Sequence, residues 1–341
     1  CVAAADIDKD GDIDLFVGAL SVPKTYGLTP RSHLYINDGT GHFSDMDIAK
    51  MAGIDKAGMI TAAAWTDITG DKQKELVIAG MWMAPGIFTY KHDHFEAIKT
   101  NLTDLPGLWR ALAAADINGD EKTDLVLGNI GENFYLHPAK EKPAKIWIND
   151  FDNNGSVDKI ITYTVNGKDV PVFLKQDLQD QVPLIKKQNL RHEDYAGKSI
   201  QELFSADILA SCQVKEFNYP SSCIAINNGS GNFTIQKMPP AIQWSCINSI
   251  YCTDVNNDGF TDIVTDGNDA DFVPQLQTLD AGFGNILLNN GKGTFTPSTA
   301  FQSGLQLNGV VRDIKEVKAA NKKYLLFLRN NDYPAMYKIN K

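Results

Sequence analysis

One short unit recurs along the sequence and constrains the fold more than any other feature. An apolar segment leads into a loop rich in Asp, Asn and Gly, and a second apolar segment follows the loop. Because short apolar segments bounded by turn residues are typical of strands, each copy predicts a β-hairpin. A sixth copy, around 310–328, has lost the acidic loop. The other five loops span 6–14, 67–75, 116–124, 150–158 and 254–262.

A second hairpin pattern lies between these units. The segments 33–43, 223–233 and 285–295 each place an Asp-Gly or Asn-Gly pair between apolar residues, and such pairs supply the positive φ angles of tight turns. Two hairpins make a four-stranded antiparallel sheet, which cannot bury both of its faces alone. Repeating the sheet around an axis solves this problem. The sequence therefore predicts an all-β fold, a β-propeller of six or seven blades, as a single domain over residues 1–341.

Residues 174–209 interrupt the repeat. Their apolar residues have helical spacing, with charged residues between them. We expect a small α-helical insertion within the fourth blade, between its inner and outer hairpins. Such an insertion either carries function or caps one face of the propeller.

The acidic loops have the donor pattern of a calcium site. Side-chain oxygens stand at alternate positions, a glycine eases the bend and an acid closes the loop. Ca²⁺ takes about six to eight oxygen ligands, which such a loop supplies together with backbone carbonyls and water. The predicted ligands are Asp6, Asp8, Asp10, Asp12 and Asp14 in the first loop; Asp116, Asn118, Asp120 and Asp124 in the third; Asp150, Asp152, Asn154, Ser156 and Asp158 in the fourth; and Asp254, Asn256, Asp258 and Asp262 in the fifth.

The second loop departs from this pattern. It offers Asp67, Thr69, Asp71 and Glu75, so it either binds calcium weakly or is held by hydrogen bonds. We therefore predict about four calcium sites and a fifth, weak one. An EF-hand is excluded because helices do not flank these loops in the predicted pattern. Asx-rich turns without a metal are the alternative.

Charge and the absence of known motifs narrow the function. The formal net charge of −10, from 42 acidic and 32 basic residues, argues against a nucleic-acid partner. The sequence contains no apolar run long enough for a membrane-spanning helix. It also lacks a nucleophile elbow, a phosphate-binding glycine loop and a zinc-protease helix, so no catalytic residue is predicted.

The five cysteines leave two alternatives open. Cys212 with Cys223, and Cys246 with Cys252, are close enough in sequence for two local disulfides, while free buried thiols explain them equally well. Zinc binding is not expected because the spacing is not of the CxxC type. Cys1 lies directly before a predicted core strand. We expect that the natural N-terminus has been removed, and a lipidated cysteine of a mature lipoprotein is the alternative.

The repeats resemble FG-GAP and VCBS repeats, including those of the integrin α-subunit propeller. The sequence is most similar to bacterial VCBS-repeat proteins that often carry an ASPIC/UnbV module and are related to animal cartilage acidic protein. Beyond the loops, this resemblance rests on residues 30–35, 65–67, 149–156, 192–196 and 329–332. It implies a secreted or cell-surface protein, usually of several domains. The sequence contains no ASPIC/UnbV module, so activities tied to that module do not transfer.

These observations predict a calcium-binding extracytoplasmic module that binds a protein or glycan ligand and is not an enzyme. The alternative is a calcium-dependent propeller lyase or glycosidase that acts on acidic polysaccharide. Its cleft would need aromatic and basic residues, for which Trp82, Trp109, Arg110 and Trp244 are candidates. Aromatic residues of this kind more often pack inside blades.

Overall fold

The computed structural model describes residues 1–229, 231–272, 276–320 and 322–339. Within these ranges the chain forms six antiparallel sheets and six short α-helices. The first sheet contains β1 (Val2–Ala5), β2 (Asp14–Val17), β3 (His33–Asn37) and β4 (Phe43–Asp45) in chain order. The second contains β5 (Met59–Thr66), β6 (Glu75–Met83), β7 (Gly86–Lys91) and β8 (His94–Ile98), and the short β9 (Gly107–Leu108) pairs with β6. The all-β prediction is confirmed.

The third sheet is interrupted in sequence by another sheet. It begins with β10 (Ala111–Ala115) and β11 (Asp124–Gly128). The chain then forms β12 (Ala144–Asn149), β13 (Asp158–Val165), β14 (Lys168–Pro171) and β15 (Gln213–Phe217), which pair in the order β14-β13-β12-β15. We call these four strands the inserted sheet. The third sheet is completed by β16 (Cys223–Asn227) and β17 (Phe233–Lys237).

The last two sheets again follow the chain. The fourth contains β18 (Ile247–Thr253), β19 (Asp262–Gly267), β20 (Asn285–Asn289) and β21 (Phe295–Ser298). The fifth has three strands in the described residues, β22 (Val311–Ala319), β23 (Lys322–Arg329) and β24 (Ala335–Lys338). The helices are α1 (Lys175–Gln181), α2 (Leu184–Gln188), α3 (His192–Tyr195), α4 (Ile200–Leu203), α5 (Ala206–Ala210) and α6 (Ala300–Ser303).

The first strands of the five sequential sheets lie next to one another. β1 contacts β5, β5 contacts β10, β10 contacts β18 and β18 contacts β22. Each pair of neighbouring sheets encloses its own apolar cluster, as Ile68, Trp109 and Leu125 do between the second and third sheets. Because a sheet with one apolar face must bury it against another layer, this stacking explains why the short strands are stable together. The inserted sheet packs against the second sheet through β15 and β6.

The fourth repeat does not occupy a fourth position in this series. We expected the unit around 150–158 to be a blade that the hairpin at 223–233 completes, and this was wrong. That hairpin pairs with β11, with Leu125 opposite Ala225, so it finishes the third sheet. In the inserted sheet β15 takes the position beside β12, with Trp147 opposite Val214. The sequence repeat is the same in both places, so its order along the chain did not reveal its order in space.

The helical segment belongs to the inserted sheet, between β14 and β15. Its buried residues Leu178, Ile185 and Ile200 pack with Trp147 of β12 and with Phe151 of the loop that follows it. The helices are short, and two of them begin at a serine, Ser199 and Ser205; the Ser205 side chain accepts the Ile208 N–H. The segment therefore covers one face of the inserted sheet, which would otherwise expose its aromatic side chains.

All five cysteines lie in the described part of the chain, and none forms a disulfide there. Cys223 and Cys246 are buried, and Cys212 and Cys252 are half-buried. Burial raises the pKa of the Cys223 and Cys252 thiols to about 12, which keeps them protonated at neutral pH. Across the described ranges, no helix has the length and apolarity needed to cross a membrane.

One buried carboxyl in the fourth sheet predicts a pH effect on stability. Asp266 is 1% exposed, its Oδ1 accepts the Gly267 N–H at 2.7 Å, and its Oδ2 has no partner in the described residues. Burial raises the pKa of this carboxyl from 3.8 to about 6. The folded state therefore binds this proton more tightly than the unfolded state, so stability falls as pH rises through this window. The total loss is about 3 kcal/mol.

We expect Asp266→Asn to remove this loss. At pH 7.5 the variant should unfold with a free energy about 3 kcal/mol higher than the parent, and the two should converge near pH 4. Denaturant titrations at several pH values measure the difference. The exposed Asp104→Asn serves as the control, because its side chain lies at the surface. Parallel pH curves for Asp266→Asn and the parent would contradict the assignment.

Candidate metal centres

All five acidic loops connect the first and second strands of a hairpin. The loops of the first, second, third and fourth sheets follow β1, β5, β10 and β18, and the remaining loop joins β12 to β13. The tight bend needs residues that tolerate positive φ, such as Lys9 (φ 67°) and Gly11 (φ 99°) in the first loop. Since the preceding strands lie side by side, four of the loops are carried by neighbouring strands.

The first loop brings three carboxylates together. Oxygens of Asp6, Asp8 and Asp14 all lie within 4.8 Å of one another. Asp10 and Asp12 are not in this group; the Asp10 Oδ1 instead accepts the Asp12 N–H at 2.9 Å, which shapes the turn. Three oxygen donors of like charge in one place are a suitable partial set for a hard divalent cation.

The fourth loop forms a second group of the same kind and gives a test of fit. Oxygens of Asp150, Asp152 and Asp158 lie within 4.8 Å of one another. The Oδ1 of Asp152 is buried and has no hydrogen-bond partner in the described residues. Because a buried carboxylate oxygen without a partner is costly, this atom suits a cation ligand. Asn154 uses its Oδ1 to accept the Ser156 N–H at 2.7 Å.

The third and fifth loops are arranged differently. In the part of the chain that the structure describes, their carboxylates do not form a group of three. Asp120 makes an ion pair with Lys122 at 2.8 Å, and Asn256 donates to Asp258 at 2.9 Å. In both loops an Asn, Asn118 or Asn256, stands at the position where the first and fourth loops have an Asp, so one carboxylate of the group is missing. The predicted ligands of these two loops are close in sequence but are engaged with neighbouring groups.

The second loop is held by hydrogen bonds. The Oε2 of Glu75 accepts the N–H groups of Ile68 and Thr69 at 2.8 and 3.2 Å. Both carboxylate oxygens of Asp67 accept backbone N–H groups of the loop, and Asp71 lies 3.7 Å from Lys91. This arrangement matches the hydrogen-bonded alternative considered for the loop.

The closing acids of the first, third and fifth loops have a second role, which the sequence did not reveal. Asp124 is fully buried, and its two oxygens accept the Ile117 N–H at 2.9 Å and the Asn227 N–H at 2.7 Å. Asp14 and Asp262 make the equivalent pairs of hydrogen bonds. Each of these acids thus ties its loop to the third strand of its own sheet.

In the third and fourth sheets, an asparagine at the end of that third strand extends the connection to the preceding sheet. Asn227 donates to the carbonyls of Ile68, in the second loop, and Thr123 at 2.8 and 3.1 Å. Asn289 likewise donates to Ile117, in the third loop, at 2.7 Å. We call Asn227 and Asn289 the bridging asparagines. We interpreted this Asn-Asn-Gly pattern only as a turn, although an Asn before the turn pair in each hairpin was the available clue.

Burial also changes the acidity of the loop carboxyls. It raises the pKa of Asp8, Asp124 and Asp262 above their usual range, and that of Asp158 to about 6. Repulsion from neighbouring carboxylates adds to the effect at Asp8 and Asp158. Both causes disfavour the charged form of these groups in the absence of a cation.

The aromatic candidates for a catalytic cleft are mostly packing residues. Trp109 is fully buried and stacks on Tyr219, with ring centroids 5.8 Å apart. Trp82 is 5% exposed and donates its indole N–H to the Tyr26 hydroxyl at 2.9 Å. Trp244 is exposed, and Arg110 lines a cavity described below. The four residues therefore do not form one cleft in this structure.

Comparison with known proteins supports an FG-GAP-like repeat protein. The FG-GAP-like repeat family matches residues 6–78 and 67–127, which include the first three acidic loops. Among curated proteins, none matches this sequence.

Two solved structures show weak overall similarity. A lectin of Agrocybe aegerita, described as recognising non-reducing terminal N-acetylglucosamine, is 14% identical with a TM-score of 0.31, and the match covers 99% of this chain and 79% of the lectin. The Vibrio cholerae biofilm matrix protein Bap1 is 10% identical with a TM-score of 0.30, over 97% of this chain and 74% of Bap1.

Proposed function

We propose that this chain is a calcium-stabilised β-propeller that acts as an extracytoplasmic binding module for a protein or glycan ligand. The observation that carries the proposal is the recurrence of one acidic loop after the first strand of successive sheets. Three carboxylates converge in the first of these loops and also in the acidic loop of the inserted sheet. FG-GAP-like repeats over residues 6–127 support the same function.

The propeller arrangement is supported by the contacts between sheets. Five sheets are related by the sequential contacts of their first strands, and each neighbouring pair shares a buried apolar cluster. A radial array of small antiparallel sheets produces these contacts and leaves only short edges. The resemblance of the loops to those of integrin α-subunits and of bacterial VCBS-repeat proteins favours the same arrangement and an extracytoplasmic location.

Calcium would be held first by the Asp6, Asp8 and Asp14 group and by the Asp150, Asp152 and Asp158 group. The ion would neutralise carboxylates that otherwise repel one another and would fix the loop that carries them. The third and fifth loops would bind more weakly, because Lys122 and Asn256 already engage their acids. The function proposed for the metal is structural, since the bound loops become rigid and present a defined surface.

A binding experiment tests the functional part of the proposal. The protein is passed over arrays of immobilised glycans and extracellular matrix proteins, with calcium and with EGTA. We expect retention on at least one class of ligand that decreases at least tenfold in EGTA, without release of any product. Unsaturated or reducing sugar ends in the flow-through would instead favour the lyase or glycosidase. The absence of retention on every surface would contradict the binding function.

A further inference from the structure

A cavity lies at the opposite end of the first strands from the acidic loops. Its volume is about 380 Å³, and its wall includes Thr61 of β5, Asn248 of β18 and Arg312 of β22, together with Arg110 directly before β10. All four residues are at or near the start of a first strand, whereas the acidic loops follow the ends of these strands. The second, third, fourth and fifth sheets thus contribute to this one wall. Met81 of β6 completes it, together with Leu20, Ser21 and Tyr26 from the connection between β2 and β3.

The charged residues in the wall are both arginines. Arg110 makes an ion pair with Asp269 at 2.5 Å, and Arg312 lies 3.5 Å from Asp271. Neither aspartate is among the residues that line the cavity. In a chain with a net charge of −10, the charged side chains of this wall are therefore guanidinium groups whose paired aspartates lie outside the wall.

The two guanidinium groups differ in how far they are engaged. Arg110 donates to Asn248 at 3.2 Å, and its Nε is buried and has no partner in the described residues. The side chain of Arg312 is 45% exposed and that of Asp271 80% exposed, so their ion pair contributes little to stability. An arginine presents five N–H donors in a planar group that matches a carboxylate. Arg312 can therefore exchange Asp271 for an incoming anion without a large cost.

The remaining wall limits the size and character of the ligand. Pockets for small molecules usually have volumes of about 300–1,000 Å³, so this cavity suits a molecule about as large as a monosaccharide. Leu20, Met81 and Tyr26 supply apolar surface, and Ser21 supplies a hydroxyl group. The amide of Asn248 is already engaged by Arg110 and by two backbone carbonyls, so it fixes the wall. We propose that the cavity binds a carboxylate-bearing ligand of monosaccharide size, held by Arg312 with Arg110. This inference deepens the proposed binding function and rests on it.

The experiment titrates three probes into the full chain in the presence of calcium. Ligand-observed NMR and calorimetry measure the binding of each probe. D-glucuronate presents the carboxylate on a sugar, cyclohexanecarboxylate presents it without hydroxyls, and D-glucose has no charge. We expect binding of glucuronate, with affinity at least tenfold higher than for glucose and reduced by added salt. If cyclohexanecarboxylate binds as well, the carboxylate alone is recognised. If cyclohexanecarboxylate does not bind, the site recognises a sugar acid. Either result supports the proposal.

Variants locate the site. Arg312→Gln should weaken glucuronate binding roughly tenfold or more, and Arg312→Lys should restore part of it. Arg191→Gln is the matched control, since Arg191 is 77% exposed and also pairs with a carboxylate, Glu193, in the helical segment. Equal binding of glucose and glucuronate, or equal effects of the Arg312→Gln and Arg191→Gln substitutions, would overturn the proposal. Loss of the calcium response in thermal melting would contradict the proposed function instead, so the two failures are distinguishable.

Discussion

Removal of calcium with EGTA is expected to lower the melting temperature of this protein by about 7 °C if two loops bind the ion and by roughly twice that if four do. At free calcium a hundredfold above the dissociation constant, each site adds about 2.7 kcal/mol to the free energy of unfolding. For a chain of 341 residues the unfolding entropy is large, so two sites shift the melting temperature by only several degrees. Thermal melting with EGTA, followed by calcium addition, measures both the shift and its reversal.

Single variants identify the loops that are responsible. Asp152→Asn changes the carboxylate whose Oδ1 lacks a partner, so it should remove the part of the calcium response that comes from the fourth loop. Asp71→Asn alters the second loop, which is held by hydrogen bonds, and should leave the response nearly unchanged. The exposed Asp104→Asn controls for the loss of one negative charge elsewhere. A melting curve that is the same in EGTA and in calcium would contradict the metal assignment for every loop.

The sequence predicted the local structure well because that structure depends on local chemistry. The acidic loops between Asp6 and Asp14 and between Asp150 and Asp158 fold back on themselves through hydrogen bonds over a few residues. The Asn-Gly turn at Asn290 likewise closes β20 onto β21. In such cases the residues that determine the conformation are neighbours in the chain, so the pattern alone is sufficient.

Long-range pairing was not predictable in the same way. The inserted sheet and the third sheet both begin with an apolar strand, an acidic loop and a second apolar strand. The strand that joins them next differs, because β16 is largely buried and β15 is largely exposed. The choice is made by partners that lie about a hundred residues apart, as with Leu125 and Ala225. The acidic loop that marks each unit is the same in both sheets, so the repeat pattern alone did not indicate which unit the later strand joins.

The same limitation explains why the bridging asparagines were missed. Asn227 makes hydrogen bonds to Thr123 and Ile68, which precede it by more than a hundred residues. From sequence, Asn227 is one of two adjacent asparagines before a glycine, and both fit a turn equally well. Only the three-dimensional structure distinguishes the buried Asn227 from the exposed Asn228.

The bridging asparagines provide the second prediction with a large effect. Asn227→Ala should lower the free energy of unfolding by about 3 kcal/mol, because it leaves two carbonyls and the Gly229 N–H without their partners. Asn227→Asp keeps the shape of the side chain but cannot donate, and it adds a charge near the buried Asp124, so its effect should be at least as large. The neighbouring Asn228→Ala is the matched control and should change stability by no more than about 0.5 kcal/mol.

Measuring stability in EGTA separates the contribution of Asn227 to the free energy of unfolding from the contribution of bound calcium. Denaturant unfolding in EGTA should show the full effect of Asn227→Ala, because the asparagine contacts backbone carbonyls and no predicted ligand depends on its side chain. Asn289→Ala acts at the next pair of sheets, where it loses the hydrogen bond to Ile117, so the double variant should show the sum of the two effects. If Asn227→Ala and Asn228→Ala had equal effects, or if the effect of Asn227→Ala disappeared in EGTA, the sheets would not be joined through these hydrogen bonds.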